Sequence, residues 1–223
     1  MLLEICKGCF AIICNIISWF HKGSSDPTEE KGVKIMEIRP GSIAFDIDGV
    51  VTDTMGSFIK VAREQFGIDE MRKEDITSYW IEECLPLPEE IIQEIISRIL
   101  NDPWGTGLTF IPGARDLLIR LGEVSRLTFV TARPFKEPIE EWLVQGLGNS
   151  DIEVIATGAH DAKGQVLLEL RRDYFVEDHL ETCRELYEQG IKAMVFDQPW
   201  NRNGKAPFRR VRNWQEIAKV LSI

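Results

Sequence analysis

Ser42-Ile43-Ala44-Phe45 runs directly into Asp46-Ile47-Asp48-Gly49-Val50: a short apolar stretch that stops on two carboxylates and a glycine. An apolar run of this length is what a central strand buried on both faces presents. Comparable runs recur at 127–130, 152–156, 174–176 and 193–196. Between them lie helical patterns at 116–121, closed by Gly122, at 137–147, at 164–171, and at 179–189, stopped by Gly190. A last helix is expected with Asn213 as its cap and Trp214, Ile217, Val220 and Leu221 on one face. Strand and helix in alternation predict an α/β domain with a Rossmann-like parallel sheet and helices on both faces.

Residues 54–108 interrupt this alternation and carry no strand pattern. Phe58, Val61, Ala62 and Phe66 fall at helical spacing, as do Ile91, Ile92, Ile95, Ile96, Ile99 and Leu100, while Pro86, Pro88 and Pro103 cut the segments apart. The expectation is a small helical cap inserted after the first strand, with 36–53 and 109–223 forming the core. Residues 1–35 read as an apolar segment and linker. The stretch 8–20 is shorter than the roughly 18 to 20 residues that span a bilayer. No positive n-region or clear cleavage site marks a signal peptide. Membrane contact through residues 1–20 is the minority reading, beside an appendage or translated upstream sequence ahead of Met36.

The chain has 223 residues, 44% hydrophobic and 28% charged, enough for a core without disulfides or a structural metal. Thirty-six acidic residues against 26 Lys and Arg give a net charge of -10, which repels a polyphosphate backbone, so nucleic acid is not an expected partner. Arg209, Arg210 and Arg212 read as a solvated basic face. Five cysteines, three of them at positions 6, 9 and 14, suit a reducing, cytoplasmic setting, and the Cys6/Cys9 pair has no second pair at zinc-site spacing.

Ligands in open parallel sheets bind outside the carboxyl ends of the strands. Those ends carry Asp46 and Asp48, then Thr131, then Glu177 and Asp178, while Lys163 opens the helix leading to the fourth strand. Four carboxylates, a hydroxyl and an ammonium in one place call for a cation and an anion. A hard divalent cation with oxygen ligands, most simply Mg2+, relieves the repulsion among Asp46, Asp178 and Glu177, and a phosphoryl group bridging the metal, Thr131 and Lys163 completes the charge balance. Asp46 can then attack phosphorus. Asp48, two residues on and pointing the same way, suits a general acid and base.

These motifs resemble the haloacid dehalogenase superfamily over residues 43–196: Asp46-Ile47-Asp48-Gly49-Val50, Thr131 after its apolar strand, Lys163, and Glu177-Asp178. The resemblance implies Asp46 as nucleophile, Asp48 as acid/base with its backbone carbonyl among the Mg2+ ligands, and Phe110-Ile111-Pro112-Gly113-Ala114 as the return from the cap. Phe175-Val176-Glu177-Asp178 and Asp197-Gln198-Pro199-Trp200-Asn201 are similar to the deoxyribonucleotidase-type, cytosolic type C nucleotidase branch. The expected function is Mg2+-dependent hydrolysis of a small phosphorylated metabolite, such as a nucleoside monophosphate. The alternatives are a phosphomutase or phosphotransferase on the same core and a non-catalytic phosphate-binding relative.

Lys163 is followed by Gly164 rather than the Pro of many relatives, and Lys136 is its rival for the phosphate. Glu177 is as readily a supporting group as a ligand. An Asp-x-Asp-Gly alone suits a turn or calcium loop, but the later ligands of such a loop are missing. A receiver-like domain places its acceptor Asp after the third strand, where this chain has Ala156-Thr157-Gly158. Tyr79, Trp80 and Trp104 are expected in the core of the cap in preference to stacking on a base. Arg133, just after Thr131, is expected at the surface in preference to touching the leaving group, Trp200 and Asn201 in a loop near the site, and His160 and His179 without a role.

Overall fold

The computed structural model describes residues 37–204 and 207–223. The apolar stretch 8–20, the Cys6/Cys9 pair and the linker that follows lie outside the described residues, as does the working start at Met36. Six strands form one sheet: β1 (Ile43–Phe45), β2 (Leu127–Thr131), β3 (Ile152–Ala156), β4 (Tyr174–Glu177), β5 (Lys192–Phe196) and β6 (Arg209–Val211). Their order is β3-β2-β1-β4-β5-β6, and all pairings are parallel. The order reverses at β1, so the crevice between the ends of β1 and β4 is the switch point where such sheets bind ligands.

The period-2 alternation of strand side chains divides the core into two layers. Ile43, Phe45, Phe129, Val176, Met194 and Phe196 pack on one face with α3 (Ala114–Gly122), α4 (Glu137–Leu147) and α7 (Trp214–Ala218). Ala44, Val130, Phe175, Ala193 and Val195 face the other way, against Leu167 of α5 (Lys163–Glu169) and Cys183 and Leu186 of α6 (Leu180–Glu188). The sheet is thus covered on both sides, as its continuous apolar strands require.

One strand departs from the sequence reading. Arg209-Arg210-Val211 is an edge strand paired with β5, not a loose solvated face. Only Val211 of the three is buried, so no apolar run marks it. Arg210 instead pairs with Asp197 at 2.9 Å. Basic side chains on an edge also discourage pairing with another chain. Asn213 caps α7 as expected, its side chain accepting from the Glu216 N–H at 3.0 Å. The helix ends at Ala218, and Leu221 bridges to Ile38.

Between β1 and α3 the chain makes α1 (Thr54–Phe66), two 3-10 turns (Lys73–Asp75 and Ile81–Glu83) and α2 (Glu89–Asn101), with no strand among the described residues. The Asp53 side chain caps α1, and Gly67 ends it at φ 68°, a left-handed conformation that glycine accepts without strain. The connecting segments pair where they leave and rejoin the core: Asp53 N–H donates to Thr109 O at 2.8 Å and Ile111 N–H to Val51 O at 2.9 Å. Trp214 stacks on Phe45 with ring centroids 5.3 Å apart and donates to Val50 O at 2.9 Å, anchoring the loop after β1 to the last helix. No helix among the described residues is long and apolar enough to cross a membrane.

Candidate functional site

Beyond Phe45 the backbone turns back on itself. Val51 and Thr52 N–H groups both donate to Ile47 O, and Gly49 sits at φ 76°. This turn presents Asp46 and Asp48 at the switch point. Lys163, from the first residue of α5, reaches in between β1 and β4: its Nζ lies 2.7 Å from Asp46 Oδ1 and 2.8 Å from Glu177 Oε2. All three side chains are buried. The other Glu177 oxygen accepts the backbone N–H groups of Asp178 and His179, each at 3.0 Å. Lys136, the rival lysine, is half-exposed and pairs with Glu140 at 3.0 Å, away from these groups.

Burial opposes the Lys163 charge, but Asp46 and Glu177 outweigh it and push the ammonium above its ordinary range. Burial pushes the Asp46 carboxyl up to about 8, with Lys163 pulling against it. Asp178 is driven up by burial and by its neighbours Glu177 and Asp46. For Glu177 burial is outweighed by Lys163, which holds it low. The cluster has more carboxylate than its ammonium can balance.

Asp48 has a cation of its own that the sequence reading put at the surface. Arg133 is 4% exposed, and its Nε and Nη2 donate to the two Asp48 oxygens at 2.8 and 2.7 Å. Thr54 Oγ1, at the first residue of α1, donates to Asp48 Oδ1 at 2.6 Å. Burial would raise the Asp48 carboxyl; the Arg133 fork outweighs it and, with Thr54, keeps it below the usual range. A signal existed. Arg133 stands two residues past Thr131, and i and i+2 at a strand end point to the same side.

Asp46, Asp48, Glu177 and Asp178, when ionised, face two cations, Lys163 and Arg133, which leaves two negative charges unbalanced. Asp46, Glu177 and Asp178 can each offer an oxygen such that all three lie within 4.8 Å of one another. Asp178 Oδ1 is buried and has no hydrogen-bond partner among the described residues. Hard oxygen donors, a two-charge deficit and an orphaned carboxylate oxygen fit a divalent cation of the Mg2+ type.

Asp46, Asp48 and Asp178 floor a cavity of about 300 Å³, into which Thr131, Arg133 and Lys163 also open. Met55, Ile92, Ile96, Ile99 and Leu100 of the inserted helices form an apolar wall, and Tyr79, Trp80, His160 and Trp200 an aromatic one. Tyr79 and Trp80 are therefore not core: Trp80 is 49% exposed and both line the cavity, while Trp104, 45% exposed, lies outside it. Helical spacing hid this, because the two aromatics sit in the irregular segment between α1 and α2. His160 and His179, which the sequence left without a role, flank Tyr79. Its hydroxyl is 3.3 Å from His160 Nε2, and its ring centroid is 4.0 Å from that of His179.

Burial, helped by Lys163, lowers His160 to about 4. Between its unfolded value near 6.5 and about 4, the unfolded chain binds a proton that the folded one refuses, so this group's contribution to stability falls as pH falls through that window. His160→Phe is expected to flatten the acid side of the stability curve there. Denaturant midpoints at pH 7 and pH 5 for both proteins measure the difference, and equal slopes would contradict it.

The family described as 5' nucleotidase, deoxy (pyrimidine), cytosolic type C protein matches residues 39–223. A nucleotidase of Clostridium acetobutylicum is 24% identical over 184 residues, 81% of this chain and 93% of its own. A haloacid dehalogenase-superfamily hydrolase from Geobacter sulfurreducens shares the fold at 18% identity, covering 83% of this chain and 96% of its own with a TM-score of 0.52. A haloacid dehalogenase-like family hydrolase from Streptococcus pneumoniae does so at 15% identity, over 79% and 96%, with a TM-score of 0.51.

Proposed function

The chain belongs to the cytosolic type C 5'-nucleotidase family of haloacid dehalogenase-type phosphatases, and from that premise we propose that it hydrolyses nucleoside monophosphates with Mg2+ through a phosphorylated Asp46. The observation that carries the reading is the convergence of four carboxylates and two cations at the ends of β1, β2 and β4, two charges short of balance. Asp46, Asp178 and the backbone carbonyl of Asp48 would hold the Mg2+, which when bound supplies positive charge to the phosphoryl oxygens. Both Glu177 oxygens already accept donors, which favours a part in holding Lys163 over coordination.

A phosphate seated against Thr131 and Lys163 puts phosphorus before the Asp46 carboxylate. An Asp46 oxygen bonds to phosphorus as the ester P–O bond breaks, and Asp48 gives its proton to the departing oxygen. In the free site Arg133 keeps Asp48 ionised; the charge of an arriving phosphate dianion raises its affinity for that proton. Water then attacks phosphorus and yields a proton to Asp48, the bond to Asp46 breaks, and phosphate leaves. Residues 54–108 act as a cap whose apolar wall and aromatics Tyr79 and Trp80 receive the nucleoside.

The test is phosphate release by the full chain with Mg2+ from 5'- and 3'-monophosphates of deoxy- and ribonucleosides, and from sugar phosphates. Turnover of nucleotides at least tenfold above sugar phosphates, lost with EDTA, is the expected result. A preference for sugar phosphates would discard the nucleotide reading and leave the phosphatase chemistry standing.

A further inference from the structure

We propose that Trp200 is a positioning residue for the divalent cation: its indole N–H holds one oxygen of Asp178 and so aims the other at the metal. Trp200 Nε1 donates to Asp178 Oδ2 at 2.9 Å, while Oδ1 of the same buried carboxylate has no partner among the described residues. A carboxylate fixed at one oxygen and free at the other is set up to bind a cation with little reorganisation.

The short 3-10 turn Pro199–Asn201 that carries Trp200 is itself clamped to both ends of the site. Asn201 Nδ2 donates to Asp178 O and to Phe196 O, each at 2.8 Å, and the preceding Gln198 donates from Nε2 to Gly49 O at 2.6 Å. One turn after β5 therefore grips the Asp178 backbone, the Asp178 side chain and the loop bearing Asp48. Space is tight as well as polar. A Cβ added at Gly49 would collide with Asp178 Oδ2 and stand 3.1 Å from the Trp200 ring, so glycine at this position leaves the room that the carboxylate and its indole partner occupy. Lys73, between the inserted helices, pairs with Asp53 at 2.8 Å and holds its ammonium 5.8 Å from the centre of the Trp200 ring. The indole is thus fixed from the insertion as well as from the core.

This inference rests on the Mg2+ reading above. Its test is calorimetric titration of the full chain with Mg2+ alone, comparing wild type, Trp200→Phe and Trp200→His. Phenylalanine keeps the ring and removes the N–H; histidine can return a ring N–H at nearly the same place. The expected result is Mg2+ binding weakened about tenfold or more in Trp200→Phe and largely restored in Trp200→His, the size typical for a partner of a metal ligand. In turnover assays the Phe variant should need correspondingly more Mg2+ to reach half of its own maximal rate. Equal Mg2+ affinity in wild type and Trp200→Phe would overturn the inference and leave the phosphatase reading intact. A wild-type chain that binds no Mg2+ would overturn both. Loss of affinity in Phe without rescue by His would also count against it, since it would assign the effect to packing.

Discussion

Asp46→Asn is expected to abolish turnover, with kcat reduced by at least about 10⁴-fold, or about 5 kcal/mol of transition-state stabilisation. The change is nearly isosteric, so the argument turns on chemistry alone. An amide oxygen is a far poorer nucleophile than a carboxylate, and attack on phosphorus by the substituted amide would leave an unstable, positively charged imidate linkage in place of the uncharged ester-like linkage of an acyl phosphate. The fold should survive. Lys163 keeps Glu177 at 2.8 Å, and removing the Asp46 charge relieves part of the repulsion that, after burial, pushes Asp178 up. Phosphate release under saturating substrate and Mg2+, with a thermal midpoint beside it, checks both halves. A folded Asp46→Asn protein within tenfold of wild-type kcat would remove Asp46 from the nucleophile's role.

The sequence showed those parts of the fold and site that follow from burial on both faces of the sheet. β1, β2, β4 and β5 are apolar runs because each is covered on both faces, whereas β3, at the sheet edge, is buried on one face through Ile152 and Val154; the residues that end β1, β2 and β4 are polar because these strand ends open on the crevice. Asp46, Thr131, Lys163 and Asp178 line one cavity with Asp48, and Glu177 touches Lys163 behind it. Local patterns failed where long-range contacts decide the environment. β6 shows no apolar run because it is an edge strand, with Arg209 exposed and Arg210 matched by Asp197 and Asn201. Arg133 looks like a surface residue until Asp48, 85 positions away, supplies its counter-charge. Tyr79 and Trp80 looked like core because aromatic residues usually are, and only the contacts with His160, 81 positions beyond Tyr79, and with His179 place them in the aromatic wall of the site.

Asp48→Asn is expected to separate the two halves of the reaction. Asparagine cannot give a proton to a departing alkoxide, so kcat/KM for an alkyl phosphate such as a nucleoside 5'-monophosphate should fall by about 10²- to 10⁴-fold. An aryl phosphate whose leaving group departs as a stabilised phenolate needs no such proton, and its kcat/KM should fall by only about tenfold. Release of phosphate from Asp46 requires the same residue as a base whatever the first leaving group was, so kcat should fall alike for both. The aryl substrate should then show a burst of phenolate with one equivalent of phosphate retained on the protein. This pattern also separates chemistry from folding. Arg133 would lose its charged partner and the variant would be somewhat less stable, but a smaller folded fraction lowers every rate in proportion and cannot change the ratio between two substrates. Equal losses in kcat/KM for the alkyl and the aryl ester, without a burst, would confine Asp48 to holding Arg133 and the loop after β1.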